Sequence, residues 1–370
     1  MKIFNQEKVN RIKVYEKYFL VLKLLRIPLI PLALLTRALH RKRPKYLISD
    51  GYLIGDTVLL RALSRSALRK SENVYFMGGP HCRLVLSDIP VKLIISQWPW
   101  ATYNYKILNL LRHVFLFLKI FILQPEIIVE TRGDFRSILF LYMTCPEKIV
   151  GYSFTGGRAF LDLEPENAEK IFHLELHNQL LARSQGLDYE SYDIRFSKKR
   201  VPIRNKIGIS FSGSQILKTL PWSLAEFILD RLLAKKFRPV YIISPDDHFL
   251  KAGANEKLLS SKNIETWKGN FSDYFSQIQS LNGYIGMDSG GGHLAAMFQI
   301  PSLIIFGTQN PDYCRPVGNE ELIILETKEE LFCRPCNGTD CSNRIFQKCL
   351  TGIEEKRIEN AMKMFFAKIK

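Results

Sequence analysis

The segment YIGMDSGGGHLAAMFQIPSLIIF, residues 284–306, decides the fold class. Its apolar runs Tyr284–Met287 and Ser302–Phe306 have the length of buried strands, and His293–Phe298 between them has a helical pattern. Asp288 and three successive glycines, which tolerate tight turns, lead from the first strand to the helix. A strand, a helix and a strand in this order predict a parallel pair with a right-handed crossover.

The same alternation of strands and helices fills the rest of the chain in two blocks. The predicted strands outside the opening segment are Lys45–Ser49, Asn73–Met77, Glu126–Glu130, Lys148–Tyr152, Lys206–Phe211 and Pro239–Ser244. We therefore expect an α/β protein with two Rossmann-like domains facing a cleft. The predicted division is an N-terminal arm at 1–44, a first domain at 45–197, a linker at 198–205, a second domain at 206–352 and a C-terminal helix at 353–370.

Basic charge is concentrated at the N-terminus. The 370 residues include 52 Lys and Arg against 36 Asp and Glu, a formal charge of +16, and residues 1–45 hold twelve of the cations and two of the acids. A protein that binds nucleic acid usually carries basic charge over the surface of its folded domains. Here most of the excess lies in the N-terminal arm, so no nucleic-acid partner is expected.

Residues 1–44 are expected to lie on a membrane surface. The apolar stretch Phe19–Leu39 is interrupted by three cations and two prolines, so no segment is expected to span a bilayer. The apolar pattern at Ile107–Leu123 has two interpretations, a helix buried in the first domain or a flap that contacts lipid.

Asp56 is the candidate catalytic group of the first block. It follows the first predicted strand in the segment Gly51–Asp56, and open α/β sheets bind ligands beyond the carboxyl ends of their strands. The carboxylate either caps the next helix or acts as a general base.

The candidate binding groups of the second block lie in two loops. Three consecutive glycines before a helix predict an anion site at its N-terminus, although a tight turn is an alternative. Hydroxyls and a lysine after strand 206–211 suit a diphosphate, although a solvated loop fits that pattern as well. These groups are Asp288, Ser289, Gly290, Gly291 and His293 in one loop, and Ser212, Ser214 and Lys218 in the other.

Four of the seven cysteines are clustered near the C-terminus, at Cys333, Cys336, Cys341 and Cys349. Four thiolates at this spacing are candidate zinc ligands, and reduced structural thiols or one disulfide are the alternatives. No other metal site is expected, because the chain has no Asp-x-Asp pair for a magnesium-bound diphosphate.

Together these motifs resemble glycosyltransferase family 9, the ADP-heptose:lipopolysaccharide heptosyltransferases. The resemblance covers roughly residues 45–352, through Ile54–Asp56, Gly208–Pro221 with Lys218, and Asp288–His293 with the apolar segments that follow. It implies a GT-B fold and an inverting, metal-independent transfer with no cofactor. It also assigns Asp56 as base, Lys218 to the diphosphate, and Asp288 and His293 to the donor.

The expected function is transfer of heptose, or a related sugar, from a nucleotide diphosphate sugar to a lipopolysaccharide core acceptor. ADP-heptose is the expected donor, and the expected location is the cytoplasmic face of a Gram-negative inner membrane. Arg132, Arg136 and Arg158 are candidates for binding an anionic acceptor. The alternatives are a GT-B-like sugar-nucleotide epimerase and a non-enzymatic membrane scaffold or nucleic-acid binder.

Overall fold

The computed structural model describes residues 18–40, 42–49, 53–96, 98, 107–168, 173–213, 215–244, 247–251, 253–336 and 340–369. The chain divides into two compact units, Met1–Glu190 and Ser191–Lys370. Each unit has one parallel sheet with helices between successive strands.

Unit 1 contains a five-stranded sheet in the order β3-β2-β1-β4-β5. The strands are β1 (Tyr46–Ser49), β2 (Val74–Gly78), β3 (Lys92–Ile95), β4 (Ile127–Glu130) and β5 (Lys148–Gly151). The helices are α1 (Phe19–Leu24), α2 (Ile30–Leu39), α3 (Ile54–Leu59), α4 (Arg61–Lys70), α5 (Cys82–Val85), α6 (Ile107–Leu123), α7 (Phe135–Met143) and α8 (Leu174–Arg183). All four residues of β1 are buried, as expected for the central strand of a sheet covered on both faces.

Unit 2 contains a six-stranded sheet in the order β11-β10-β9-β6-β7-β8. The strands are β6 (Lys206–Ser210), β7 (Arg238–Ile242), β8 (Glu265–Trp267), β9 (Gly283–Met287), β10 (Ser302–Phe306) and β11 (Leu322–Glu326). The helices are α9 (Trp222–Ala234), α10 (His248–Lys251), α11 (Gly253–Ser261), α12 (Phe271–Gln279), α13 (Gly290–Met297), α14 (Pro311–Cys314), α15 (Lys348–Thr351) and α16 (Glu355–Lys368). Strands β9 and β10 are buried throughout, which agrees with their continuous apolar sequences.

The boundary between the units lies before the predicted linker at 198–205. Residues 191–205 join unit 2, because the amide of Phe196 donates to the carbonyl of Met297 (2.9 Å) and the amide of Ile203 to that of Ser280 (2.8 Å). The C-terminal helix α16 also packs into the core of unit 2, through side chains that include Phe365.

The prediction that no segment can span a membrane needs correction. Within the described residues, Phe19–Leu39 is helical, long enough and apolar enough to cross a bilayer, judged by length and composition alone. The prolines do not break it, because Pro28 lies in a 3₁₀ turn (Ile27–Leu29) and Pro31 in the first turn of α2, where its missing N–H is tolerated. Residues 1–17 and Arg41 of the predicted arm lie outside the described residues.

Helix α6, the predicted helix Ile107–Leu123, combines features of both interpretations. Leu116 and Ile120 are buried in the core of unit 1. Other apolar side chains of the helix are exposed, among them Phe115 at 70% and Leu108 at 66%. The helix is therefore a core element on one face and an apolar surface on the other.

Candidate functional site

In unit 1 the predicted base, Asp56, lies beside Arg132. Asp56 is in the first turn of α3, after β1, and Arg132 follows the adjacent strand β4. Arg132 Nη1 donates to Asp56 Oδ2 in an ion pair, and the Asp56 side chain is 18% exposed. Leu53 is the N-cap of α3, so Asp56 does not cap this helix. The alternative explanation for Asp56, a helix cap, is therefore wrong. The pair lies where the strand order reverses, which is where open α/β sheets bind ligands.

Glu130, the last residue of β4, is a second carboxyl near Arg132. It is 1% exposed, and its Oε2 accepts a hydrogen bond from the Gly133 amide (2.6 Å) in the loop that carries Arg132. Burial raises the pKa of Glu130 to about 8, opposed by the Gly133 hydrogen bond and the charge of Arg132. This carboxyl therefore holds the Arg132 loop in place and titrates near neutral pH.

His81 is a third group near Asp56, at the end of β2. Its Nε2 lies 2.9 Å from the hydroxyl of the buried Thr57, next to Asp56 in α3. Burial lowers the pKa of His81, and the charge of Asp56 opposes that shift. His81 and Glu130 are not among the candidates from the sequence, although Glu130 ends one predicted strand next to β1 and His81 lies shortly after another.

The other two acceptor candidates in unit 1 have acidic partners. Arg136 pairs with Asp134 (2.6 Å), which caps α7, and Arg158 pairs with Glu164 (3.2 Å). The structure thus brings Arg132 to the predicted base. Arg136 and Arg158 remain exposed over about half of their side chains, at 51% and 59%.

In unit 2 the predicted diphosphate lysine and the predicted donor aspartate form an ion pair. Lys218 Nζ lies 2.7 Å from Asp288 Oδ2, and the side chains are 16% and 9% exposed. Lys218 reaches Asp288 because the loop after β6 folds back on itself, with the Gly213 amide donating to the Lys218 carbonyl (3.0 Å). Only glycine fits at 213, since a Cβ there would lie 2.7 Å from Lys218 Cβ.

Ser212 stabilises this loop from inside. It is 2% exposed, and its hydroxyl accepts from the His248 amide (3.0 Å). Asp247 is also buried and accepts from the Tyr241 hydroxyl (3.0 Å) and the Leu250 amide (3.0 Å), so its carboxylate organises the turn after β7. Ser214 lies outside the described residues.

One glycine of the run, Gly291, has a packing explanation. Helix α13 begins at Gly290, and a Cβ on Gly291 would lie 2.4 Å from the Tyr284 hydroxyl and 2.5 Å from that of Tyr274. Tyr284 is buried and Tyr274 is half-buried, and burial raises the pKa of Tyr284 to about 12. Gly291 is therefore required by its neighbours.

The groups around this helix differ in their exposure to solvent. His293, in the second turn of α13, is buried at 7% exposure. Ser289 and Gly290 are partly exposed, whereas Gly291 is buried. A ligand at the N-terminus of α13 would therefore meet Ser289 and Gly290 first.

The four C-terminal cysteines line one small cavity together with Leu217 and Thr308. All four are free thiols, so the disulfide alternative is wrong. The Cys341 sulfur accepts from the Gln347 amide (3.4 Å), and burial raises the pKa of Cys349 to about 11. The described part of the chain contains no group of three His, Cys, Asp or Glu placed to hold a metal ion, so the zinc hypothesis finds no support there.

The model of glycosyltransferase family 9 (heptosyltransferase) matches residues 268–345, which include Asp288 and α13. The predicted resemblance to family 9 is confirmed. The predicted enzyme class, a glycosyltransferase, is confirmed with it. No curated protein sequence matches the chain significantly.

Solved structures confirm the GT-B fold. *E. coli* ADP-heptose LPS heptosyltransferase II is 16% identical with a TM-score of 0.63, over 88% of this chain and 99% of that chain. A family 9 glycosyl transferase from *Veillonella parvula* is 14% identical with a TM-score of 0.67, over 89% and 99%. *E. coli* heptosyltransferase WaaC with ADP is 13% identical with a TM-score of 0.65, over 85% and 99%.

Proposed function

We propose that this glycosyltransferase moves heptose, or a closely related sugar, from a nucleotide diphosphate donor to a lipopolysaccharide core acceptor. The observation that carries the proposal is the Lys218–Asp288 pair at the carboxyl ends of β6 and β9, because Asp288 lies in the segment that matches family 9. ADP-heptose is the proposed donor, since the *E. coli* relatives include an ADP-heptose transferase and a complex with ADP. The proposed location is the cytoplasmic face of a Gram-negative inner membrane, where such an acceptor is assembled.

The proposed reaction is a single inverting displacement. The acceptor hydroxyl attacks the anomeric carbon as the bond from that carbon to the diphosphate oxygen breaks, and Asp56 takes the hydroxyl proton. Arg132 positions the Asp56 carboxylate through their ion pair. Lys218 and the amides at the start of α13 stabilise the departing diphosphate, which supports a transfer without a metal ion.

The test is release of the nucleoside diphosphate in the presence of ADP-heptose and a heptose-deficient core acceptor. Asp56→Asn is expected to reduce turnover by about 10² to 10⁴-fold, the usual contribution of general base catalysis, with donor binding unchanged. Asp188→Asn is the matched control, because Asp188 is exposed in the same unit and the site keeps Asp56. Full activity of Asp56→Asn would refute the assignment of the base.

A second measurement identifies the donor. A panel of ADP-, UDP-, GDP- and CMP-sugars is compared by thermal shift, since a ligand at 100 times its dissociation constant adds about 2.7 kcal/mol of stability. We expect the ADP-sugar to stabilise the protein most and turnover to survive chelation of metals by EDTA. Conversion of the sugar nucleotide without acceptor would instead indicate the epimerase alternative.

A further inference from the structure

Aromatic and polar side chains of the segment Phe19–Leu39 bind it to the rest of unit 1. The Phe19 ring packs edge-on against Phe160, with ring centroids 5.0 Å apart. Arg26 donates to the carbonyl of Pro146 (3.1 Å), just beyond the end of α7. Arg37 donates to the side-chain carbonyl of Gln124 (2.9 Å), immediately after α6. Both arginines donate to groups of unit 1, so they face the protein.

The opposite side of the segment is apolar and exposed. Leu20 and Leu39 are 71% and 72% exposed, and Ala33 is the one buried residue of α2. The exposed large apolar residues of the segment are Leu20, Val21, Leu24, Leu25, Ile27, Ile30, Leu32, Leu34, Leu35 and Leu39. Such a concentration of exposed apolar side chains indicates a site of interaction.

Helix α6 extends this surface. It packs beside α2, and its exposed apolar residues are Leu108, Leu111, Val114, Phe115, Leu118 and Ile122. Residues 18–40 and 107–123 contain no Asp or Glu, and Lys23, Arg112 and Lys119 are exposed cations among the apolar side chains. We call the exposed apolar residues of α1, α2 and α6 the apolar platform.

We propose that the apolar platform inserts into one leaflet of a lipid bilayer, with the helices lying in the plane of the membrane. Apolar side chains bordered by cations alone complement an anionic leaflet, whereas a second copy would oppose like charges. The inward-facing Arg26 and Arg37 hold the segment against unit 1, which favours lying on the membrane over crossing it. Insertion of the platform does not depend on the proposed function. Delivery of the acceptor from this membrane rests on it.

Insertion and electrostatic adsorption respond differently to salt. Attraction between exposed charges is screened at about 1 M salt, where the Debye length falls to about 3 Å. Burial of apolar surface is not weakened by salt. Insertion of the platform therefore predicts that the protein stays bound at high salt. It also predicts binding to vesicles of phosphatidylcholine without anionic lipid.

The experiment is co-sedimentation of the full chain with vesicles of phosphatidylcholine alone, or mixed with phosphatidylglycerol, at about 0.1 M and about 1 M NaCl. The variants are Leu20→Gln with Leu24→Gln in α1, and Phe115→Gln in α6. Each is expected to lower the partition coefficient at least about tenfold, since a buried Leu or Phe side chain contributes strongly to transfer from water. Met364→Gln, at a 54% exposed position on α16 of unit 2, is the matched control and is expected to bind like the wild type.

Several outcomes would overturn the proposal. They are release of the wild type at high salt, undiminished sedimentation of both platform variants, or a solution dimer that Phe115→Gln dissociates. The vesicles contain neither donor nor acceptor, and a melting temperature equal to that of the wild type shows that the variants are folded. Failure of membrane insertion is thereby distinguished from failure of the proposed transfer reaction.

Discussion

Replacing Glu130 by glutamine is expected to remove a pH-dependent loss of stability from unit 1. The carboxyl is buried at the end of β4, and its pKa is about 8 in the folded protein against an ordinary value of 4.5. Between these two values the folded state holds a proton that the unfolded state has released, so stability falls as the pH rises. At about 1.4 kcal/mol per pH unit, the loss from pH 4.5 to 8 is at most about 5 kcal/mol.

Glutamine keeps the contact and removes the titration. Its side-chain carbonyl accepts from the Gly133 amide as Glu130 does, and it has no proton to lose. We expect wild type and Glu130→Gln to have similar stability near pH 4.5. The variant becomes progressively more stable than the wild type as the pH approaches 8.

The measurement is urea denaturation of both proteins at several pH values between about 5 and 8, the interval that this pKa defines. Hydrogen exchange of the β4 amides assigns the transition to unit 1. Glu190→Gln, an exposed position of the same unit, is the matched control and leaves the pH profile of the wild type unchanged. A stability difference between wild type and Glu130→Gln that is constant over this interval would refute the reasoning.

Three further substitutions test other contacts. Gly291→Ala places a methyl group 2.4 Å from the Tyr284 hydroxyl and is expected to destabilise unit 2 by about 1–3 kcal/mol in thermal unfolding, with partial recovery when Tyr284→Phe is added. Asp88→Ala leaves the guanidinium of Arg61 buried without this partner at 2.8 Å, and denaturation should show a loss of about 3–5 kcal/mol; a smaller loss than 1 kcal/mol would contradict burial of the pair. Lys218→Ala is expected to weaken binding of the nucleoside diphosphate at least about tenfold in calorimetry, as loss of a charge-assisted contact should, and unchanged affinity would remove Lys218 from the donor site.

The sequence predicts the central strands of both sheets but misses most of the edges. Strands β1, β6, β9 and β10 are buried, and their continuous apolar runs are visible in the sequence. Strand β8 is largely exposed and lies at the edge of its sheet. The other missed strands, β3 and β11, are edge strands too. Their sequences, KLII and LIILE, are apolar apart from one charged residue each, so the signal for these two strands was present in the sequence and was missed.

The sequence locates the site residues only because they follow the ends of predicted strands. Asp56, Lys218 and Asp288 follow predicted strands, and the structure places each beside an oppositely charged partner. Those pairings join residues far apart in the chain, so no local pattern contains them. Gly291 shows the opposite case, since the hydroxyls of Tyr284 and Tyr274 lie where its side chain would be and neither contact is visible in the local sequence.

The role of the N-terminal segment was also only partly predictable. Its basic residues suggested electrostatic attachment to a membrane, yet Arg26 and Arg37 are bound to unit 1. Deletion of residues 1–40 would therefore remove part of the folded unit as well as the apolar platform. Substitutions on the exposed face, such as those in α1 and α6, separate the two roles.

The Lys218–Asp288 pair has a consequence for the kinetics of donor capture. Two opposite charges 2.7 Å apart form a dipole whose field decays faster with distance than that of a single cation, so this pair does little to steer a distant anion. The association rate attributable to it should then depend only weakly on ionic strength. Selection among anions would occur after contact, when a bound diphosphate competes with Asp288 for the ammonium group of Lys218. Anions would then differ mainly in their dissociation rates.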